Sequence, residues 1–355
     1  MSLEKLKKLE IFKTTNIVKK KIFLDLIKKI SLHHYDNCNE YKNIIEKLQI
    51  RISKIKNMED LPILPVQLFK LFDLRSVKKD KVFKKLVSSG TSGQAPSKIY
   101  LDKENARAQT RVLDIIFSKM ISDKRLPMII VEKNPYLENR NILNAKSAAI
   151  HGFSIFGKNH FYILNDQNQI DVKGLTNFMK NYGKDKFLIF GFTSQIFEKL
   201  IDNKNLKNLA YNFGNGILLH GGGWKKMENL KISSEDFKKR LKEKFNLGKI
   251  FNYYGLVEQT GSIFFESQKC GYFHTSIFSD IIIRDSKFRI VKNKNKGLIQ
   301  LLSVLPTSYP GHNVLTEDIG EIIGEDDCKC GLKGKYFKVY GRAKEAEVRG
   351  CSDVN

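Results

Sequence analysis

Hydroxyl groups and glycines alternate over one short segment of the chain. The segment reads Ser88-Ser89-Gly90-Thr91-Ser92-Gly93-Gln94-Ala95-Pro96-Ser97-Lys98. The amides and hydroxyls of such a loop can bind phosphate oxygens, and Lys98 would add a positive charge against a triphosphate. The spacing fails the GxxxxGK[ST] pattern of a Walker loop. A flexible Ser/Gly surface loop has the same composition, so the segment alone leaves both interpretations open.

A carboxylate follows a glycine turn further along the chain. The segment reads Asn252-Tyr253-Tyr254-Gly255-Leu256-Val257-Glu258-Gln259-Thr260-Gly261. Mg²⁺ prefers oxygen ligands and takes few of them from protein, so Glu258 is a candidate magnesium ligand beside a triphosphate. The alternative is a tight turn whose glutamate is solvated.

Two charged groups near the end could hold a nucleotide. Asp318, in Thr316-Glu317-Asp318, could accept hydrogen bonds from both ribose hydroxyls, and Arg342, after Gly341, could reach the ribose or the α-phosphate. Upstream, the run Gly221, Gly222 and Gly223 would let a flat base lie close against backbone. A sharp turn at a strand end would explain the glycines equally well.

The chain has five cysteines. An odd number without an export signal argues against a disulfide framework. Four residues have metal-ligand character: Cys270, His274, Cys328 and Cys330. Three thiolates and one imidazole would form a closed, structural zinc site, and the alternative is four buried residues without metal. Cys38 is given no role.

These groups need a scaffold, and the pattern of apolar runs predicts one. MIIVE (128–132), KFLIFGF (186–192) and GILLHGGG (216–223) indicate buried strands, with helical stretches such as TSQIFEKLID (193–202) between them. This alternation predicts an α/β fold with a largely parallel sheet. After about residue 262 the runs FSDIIIRD, KFRIV, GLIQLLSV and GEIIGE indicate a β-rich region. We therefore expect a helical lead-in (1–75), an α/β core (76–262) and a β-rich subdomain with the C-terminal tail (263–355).

Composition excludes some functions. The net charge is +24, but lysines are scattered along the whole chain, which is typical of a soluble surface rather than a nucleic-acid site. No run is long and apolar enough to span a bilayer, and MSLEKLKKLE is no secretory signal. We expect a cytoplasmic protein without nucleic acid and without a membrane span.

The motifs, in this order over residues 88–342, resemble those of the adenylate-forming superfamily: S-G-T-[ST]-G-x-P-K, Y-G-x-[TS]-E, T-G-D and G-R-x-x-D. The chain departs from them by insertions on both sides of Pro96, by Val257 and Glu317 at motif positions, and by Glu345 one position late. The resemblance implies that the aromatic Tyr254 packs on adenine and that Glu258 holds magnesium. It assigns ATP binding to Ser89, Gly90, Thr91, Ser92, Gly93, Gly221, Gly222, Gly223, Tyr254, Gly255, Asp318 and Arg342.

The chain resembles one branch more closely, the acyl-protein synthetases of the bacterial bioluminescence fatty-acid reductase complex. The shared stretches are Leu64-Pro65-Val66-Gln67-Leu68-Phe69-Lys70, His220-Gly221-Gly222-Gly223-Trp224-Lys225, Val257-Glu258-Gln259-Thr260-Gly261-Ser262 and Arg349-Gly350-Cys351-Ser352-Asp353. More distant phenylacetate-CoA-ligase-like relatives strengthen the zinc prediction. The fold expected is the large N-terminal domain of an adenylate-forming enzyme with a β-rich subdomain, lacking the usual small C-terminal domain.

The resemblance implies an adenylate-forming ligase that uses MgATP to make an acyl-adenylate from a carboxylic acid, and the family implies a fatty acid. Catalytic roles fall to Glu258, Lys98 and Arg342, with Cys351 as the acyl acceptor. A thiolate can attack the mixed anhydride, and Arg349 could lower the pKa of the Cys351 thiol. An acyl-CoA-reductase-like subunit or an acyl carrier would then receive the acyl group.

Other interpretations stay open. Cys351 could be an inert residue in a frayed tail, with coenzyme A or a carrier-protein thiol as the acceptor. The protein could also be a catalytically inactive, basic binding module that keeps the fold. The sequence does not identify the acid.

Overall fold

A computed structural model describes residues 6, 8–88, 96–134, 143–203, 206, 211–223 and 232–343. The chain divides into two compact units. The first comprises Met1–Ile116 with Gly255–Val348, and the second comprises Phe117–Tyr254 with Arg349–Asn355. The sequence analysis divided the chain into three segments by residue pattern, whereas these two units are divided by which residues lie close together. The three segments therefore remain a prediction.

The α-helices of the described residues vary in length from one turn to six. They are α1 Asn16–Asn37, α2 Asn39–Lys47, α3 Leu68–Leu71, α4 Lys103–Met120, α5 Ala145–Ser154, α6 Val172–Tyr182, α7 Thr193–Ile196 and α8 Ser234–Phe245. A π-helical turn, Phe197–Ile201, continues α7. Short 3₁₀ turns occur at Ile52–Lys54, Met58–Asp60, Lys79–Lys81 and Val257–Gln259.

The strands of the described residues are numbered in chain order. They are β1 Leu64–Pro65, β2 Lys84–Val87, β3 Lys98–Leu101, β4 Leu126–Ile130, β5 Leu143–Asn144, β6 Gly157–Tyr162, β7 Phe187–Phe192, β8 Gly216–Gly221, β9 Lys249–Tyr254, β10 Phe264–Phe265, β11 Phe273–His274, β12 Ser279–Arg284, β13 Gly297–Ser303, β14 Asn313–Glu325 and β15 Lys335–Arg342.

The second unit contains the predicted parallel sheet. Its strands follow the order β9–β8–β7–β4–β6, and each neighbouring pair is parallel. Strands β7 and β8 are buried at every position, as expected for strands covered on both faces. The predicted strands at 128–132, 186–192 and 216–223 are thereby confirmed. The carboxyl ends of parallel strands meet at one edge of a sheet, which is where ligands bind in such folds.

The first unit contains an antiparallel sheet in the order β11–β15–β14–β13–β12, with β1 paired in parallel on β14. This sheet confirms the β-rich character predicted after residue 262. One predicted strand is wrong: KFRIV (287–291) forms the turn after β12, with a single bridge from Arg284 to Ile290. The segment alternates charged and apolar residues as a half-buried strand would, but its apolar side chains are exposed at the turn instead.

Helix α1 is joined to this sheet by buried polar contacts. The Lys19 ammonium donates to the Ser279 carbonyl at 2.6 Å and lies 3.4 Å from the Asp280 carboxylate. Lys335 approaches the other Asp280 oxygen at 3.1 Å. The Asp326 carboxylate accepts from the Asn16 amide at 2.9 Å, which satisfies one of the otherwise unpaired donors at the start of the helix. The helical lead-in is thus held by charges on β12, β15 and the turn between β14 and β15.

Candidate active site and metal centre

Glu258 is buried in the first unit, at only 5% exposure. Burial raises the pKa of its carboxyl, while a hydrogen bond from the Ser97 hydroxyl and the charge of Arg342 act in the opposite direction. The negative charge of Asp318 adds to the rise. A carboxylate that is buried without full compensation favours a bound cation, because a cation supplies the missing countercharge. The observed surroundings therefore fit the predicted magnesium ligand.

The turn that carries Glu258 is fixed on both sides. Thr260 donates through its hydroxyl to the Gln109 side chain on α4 at 2.5 Å. Gly261 has φ +83° and lies against the Gln109 backbone, where a Cβ would collide. The Gln259 side chain donates to the Leu301 carbonyl of β13 at 2.9 Å. Glu258 is consequently held by a helix and a strand rather than by a free loop.

Asp318 and Arg342 are register partners on β14 and β15. The Arg342 guanidinium lies 3.8 Å from the Asp318 carboxylate and 3.4 Å from Glu317. Glu317 also accepts from the Gln67 side chain at 2.8 Å. The two predicted nucleotide ligands are therefore neighbours, although 24 positions of sequence and a turn separate them. Glu317 and Gln67 are additional members of this group that the sequence did not identify.

Two hydrogen bonds join Ser88 and Ser97, the residues at the two ends of the predicted phosphate loop. The Ser88 amide donates to the Ser97 carbonyl at 3.1 Å, and the Ser97 amide donates to the Ser88 hydroxyl at 2.8 Å. Below them β2 and β3 form an antiparallel hairpin, in which Val87 pairs with Lys98. Lys98 follows Ser97 directly and is the first residue of β3, where its side chain is half-buried.

Several predicted site residues lie outside the described residues. They are Ser89, Gly90, Thr91, Ser92, Gly93, Trp224, Glu345, Arg349 and Cys351. The phosphate loop and the acyl acceptor therefore remain predictions. Ser97 was part of the quoted motif without a role, and the buried contact to Glu258 is what now distinguishes it.

The glycine run lies at the carboxyl end of β8 in the second unit. A Cβ at Gly221 would overlap the ring of Tyr253, and Gly222 has φ +80°, a conformation that glycine adopts without strain. Tyr253 packs on Phe153, with ring centroids 4.7 Å apart. Tyr254, the predicted adenine contact, is its neighbour on β9 and so points to the other face. The first two glycines thus have a packing reason that exists without ligand.

A buried hydrogen-bond relay supports the same strand end. The Thr193 hydroxyl donates to the Gly221 carbonyl at 3.1 Å and lies 2.9 Å from Nδ1 of His220. Burial lowers the pKa of His220 to about 3, so the ring is neutral. Because Thr193 uses its only hydrogen on Gly221, His220 donates from Nδ1, and Nε2 is left buried without a partner among the described residues. The relay fixes the direction of the Gly221 carbonyl.

A buried ion pair lies at the same edge of the sheet. Glu132 follows β4, and its carboxylate is 2.6 Å from the Lys146 ammonium on α5. The sequence analysis missed this pair, because neither residue belongs to a motif. Its position at the carboxyl end of a parallel strand is the signal that could have indicated it.

The four predicted zinc ligands come together in the first unit. Their ligand atoms all lie within 4.8 Å of one another. Nε2 of His274 is 3.3 Å from the Cys270 sulfur and 3.4 Å from the Cys330 sulfur, and the Cys328 and Cys330 sulfurs are 3.3 Å apart. Burial lowers the pKa of His274 to about 4, which keeps the imidazole neutral as a metal ligand must be. The donor set and its spacing fit a tetrahedral zinc ion, in which two sulfur ligands lie about 3.8 Å apart.

The fold matches solved structures of adenylate-forming ligases. An open conformation of 2-hydroxyisobutyryl-CoA ligase in complex with 2-HIB-AMP and CoA superposes with a TM-score of 0.73 at 15% identity, over 94% of this chain and 77% of that chain. The same enzyme in the postadenylation state gives a TM-score of 0.72 over 93% of this chain and 69% of that chain. The predicted fold class is confirmed: the chain has the fold of an adenylate-forming ligase, and such ligases consume ATP.

The chain belongs to the acyl-protein synthetase family LuxE, whose sequence model matches residues 10–355. The long-chain-fatty-acid–luciferin-component ligase of Vibrio harveyi is 24% identical over 92% of this chain and 85% of the relative. The ligase of the same name from Aliivibrio fischeri is 23% identical over 92% of this chain and 86% of the relative. The family resemblance and the enzyme class, an AMP-forming acid ligase that activates an acyl group with ATP, are confirmed. The inactive binding module is not favoured. No helix among the residues with described structure is both long and apolar enough to cross a bilayer.

Proposed function

We propose that this chain joins a long-chain fatty acid to its own Cys351 through an acyl-adenylate. In the first half-reaction an oxygen of the acid carboxylate attacks the α-phosphorus of ATP, and the bond to pyrophosphate breaks. In the second, the Cys351 thiolate attacks the acyl carbon, and AMP leaves with the oxygen that joined the two. The products are a protein thioester, AMP and pyrophosphate.

The residues around Glu258 would bind the charged parts of ATP. Asp318 would accept the ribose hydroxyls, and Arg342, 3.8 Å away, would neutralise charge that develops on the α-phosphate. Ser89–Gly93 and Lys98 would hold the β- and γ-phosphates. Ser97 would orient the Glu258 carboxylate through its hydroxyl.

Magnesium, when bound with the triphosphate, supplies the countercharge that Glu258 and the phosphate oxygens need. Glu258 is the residue that would hold it. Because α4 and β13 fix the turn around Glu258, the carboxylate would not have to be reorganised when the nucleotide enters.

The glycine run and the tyrosine motif would bind the uncharged parts of ATP. Gly221, Gly222 and Gly223 would offer a flat backbone surface to adenine, with Tyr254 and Gly255 in the following motif. The relay from His220 through Thr193 would keep that surface in place.

Zinc at Cys270, His274, Cys328 and Cys330 would be structural, because all four ligands come from protein and leave no open position. Partners would be an acyl reductase subunit or an acyl carrier that takes the acyl group from Cys351, and the setting would be the cytoplasm. The names of the relatives, long-chain-fatty-acid ligases, support the fatty acid as substrate class.

One observation carries the proposal. Three separate motifs of the sequence converge on one carboxylate, since Glu258 interacts with Ser97, Arg342 and Asp318. A turn whose glutamate is solvated would not need these partners. Charged groups gathered around a buried carboxylate are typical of a site that binds a charged ligand.

The test is acid-dependent exchange between ATP and pyrophosphate over a panel of fatty and aryl acids, followed by intact-mass measurement. We expect exchange with long-chain acids and a mass gain equal to one acyl group. Hydroxylamine should remove the gain, and Cys351→Ser should abolish it without abolishing exchange. The matched control is Cys38→Ser, which should keep both.

Two results would contradict parts of the proposal. Exchange without a mass gain would show that the acyl acceptor is an external thiol and not Cys351. Absence of exchange with every acid would remove the adenylation itself.

A further inference from the structure

The turn between β12 and β13 exposes two large apolar side chains. Phe288 is 51% exposed and Ile290 is 49% exposed. Phe288 also has φ +62°, a left-handed conformation that is strained for a bulky residue. Glycine or asparagine would relieve the strain, and a polar residue would avoid the exposed ring. Phe288 at this position therefore contributes nothing evident to folding.

The backbone around Phe288 is nevertheless held firmly. Arg284, which is buried, donates to the Phe288 carbonyl at 2.7 Å and to the Glu59 carbonyl at 2.7 Å. The Asp285 carboxylate accepts from the amides of Lys287 and Arg289, each at 2.9 Å. The carbonyl of Phe288 is thus fixed inward while its ring is exposed, so the ring is presented without a large loss of entropy on binding.

The same segment is strongly basic at its surface. We call residues 285–296 the basic hairpin. It carries the exposed side chains Lys287, Arg289, Lys292, Lys294 and Lys296 against one acid, Asp285. Asp285 is already paired with Arg289 at 2.8 Å. Four lysines therefore flank the two apolar side chains with no acid of the hairpin left to neutralise them.

An aromatic side chain of β15 extends the surface. The Lys296 ammonium lies 4.1 Å from the centre of the Tyr340 ring on β15, and Tyr340 is 46% exposed. The amide of Lys294 donates to the Ile322 carbonyl of β14 at 2.8 Å, which holds the hairpin against that strand. Tyrosine with its polar hydroxyl is a residue enriched at the interface between lipid and water.

We infer that the basic hairpin is a docking surface for an anionic lipid bilayer. Lysines would contact the phosphates of the head groups, and Phe288 with Ile290 would insert into the apolar layer beneath them. An acidic protein would account for the lysines alone. It would not account for an exposed phenylalanine in a strained backbone at this turn. The surface is separate from the chemistry proposed above, but it would bring the enzyme to the phase in which long-chain acids accumulate.

The experiment measures co-sedimentation of the full chain with vesicles of phosphatidylcholine, with and without phosphatidylglycerol. We expect binding only to vesicles that contain phosphatidylglycerol, and release at high salt. The double variant Phe288→Gly, Ile290→Thr should lower the partition coefficient about tenfold. Its melting temperature should be equal or higher, because glycine suits φ +62°. The control Leu48→Thr removes an equally exposed apolar side chain elsewhere and should have no effect.

The charges are tested separately. Lys287→Gln with Lys292→Gln should lower binding about 25-fold, at about fivefold per lysine. Lys54→Gln with Lys56→Gln, exposed lysines of the same unit, should lower it far less. Absence of vesicle binding by the natural chain would overturn the inference. So would binding that the Phe288 variant leaves unchanged, or binding to soluble polyglutamate but not to vesicles, which would identify an acidic macromolecule. Exchange with a soluble short acid, measured without lipid, reports on the proposed function independently.

Discussion

Two buried carboxylates of the first unit have opposite electrostatic surroundings. Asp280 is fully buried between two ammonium groups, those of Lys19 and Lys335, and these hold the pKa of its carboxyl below the usual value against the effect of burial. Glu258 is nearly as buried, but its main polar partner is a hydroxyl, and the pKa of its carboxyl is raised. A charge neutralised within the fold indicates a structural role. A charge left partly uncompensated indicates a place for a ligand that brings the countercharge.

The sharpest test of this contrast is Glu258→Gln. Loss of the cation ligand should lower acid-dependent exchange between ATP and pyrophosphate about 10³-fold. Stability should be equal or higher. Since the folded pKa lies above the unfolded value, the charged carboxylate costs stability at neutral pH, and glutamine removes that cost. Urea unfolding measures it. Glu266→Gln, a second buried glutamate of the unit, is the control and should keep exchange. A Glu258→Gln protein with full exchange would remove Glu258 from the mechanism.

Asp280→Asn should produce the reverse result. It leaves Lys19 and Lys335 buried without a countercharge, which should lower the free energy of unfolding by about 3 kcal/mol or more. Exchange per folded molecule should be retained. Replacing all three residues, as Lys19→Met, Asp280→Leu and Lys335→Met, should recover most of the stability, because no charge remains buried. If the triple variant is no more stable than Asp280→Asn, the loss does not come from uncompensated charge.

The predicted zinc ligands are a third group of buried or half-buried residues whose charge a ligand would balance. Cys270→Ser should abolish zinc binding and lower the free energy of unfolding by about 2 kcal/mol. Cys38→Ser replaces a buried cysteine outside the cluster and should retain the zinc. Metal content by atomic emission and urea unfolding give both results. A natural chain purified without zinc, and insensitive to added zinc in unfolding, would refute the metal centre.

The smallest effect concerns buried bases rather than acids. His34 and His312 lie with ring centroids 4.8 Å apart, and burial lowers both pKa values, that of His312 to about 3. In the unfolded chain each of these imidazoles is protonated below about pH 6.5, whereas in the folded chain it stays neutral to lower pH. Stability should therefore fall as the pH drops below 6.5 towards 3. His312→Gln should reduce the loss between pH 7 and 5.5 by about 1 kcal/mol. An unchanged pH dependence would show that His312 titrates normally.

The sequence predicted the local features of the site and not its long-range contacts. Glu258, Asp318 and the glycine run stand in motifs with recognisable spacing, and the strands that end beside them have clear apolar runs. The contact of Ser97 with Glu258 spans 161 positions of sequence that no local pattern links. The partners of Asp280 could not be predicted for the same reason, because a single acid in an apolar run does not indicate which lysines neutralise it. The strand predicted at KFRIV is wrong for another reason: its residues alternate as in a strand, but Phe288 and Ile290 are exposed to solvent.

The Lys19 contact also has a consequence for how the chain is made. Helix α1 leaves the ribosome long before its acceptor, since Ser279 follows Lys19 by 260 residues. At typical rates of about 5–20 residues per second the helix waits for tens of seconds before β12 exists. During that time the helix, whose Phe23, Ile27 and Ile30 are fully buried in the finished protein, lacks its contact with β12. Helix α1 can thus complete this contact only late in synthesis, and we expect nascent chains shorter than about 280 residues to depend on holding chaperones.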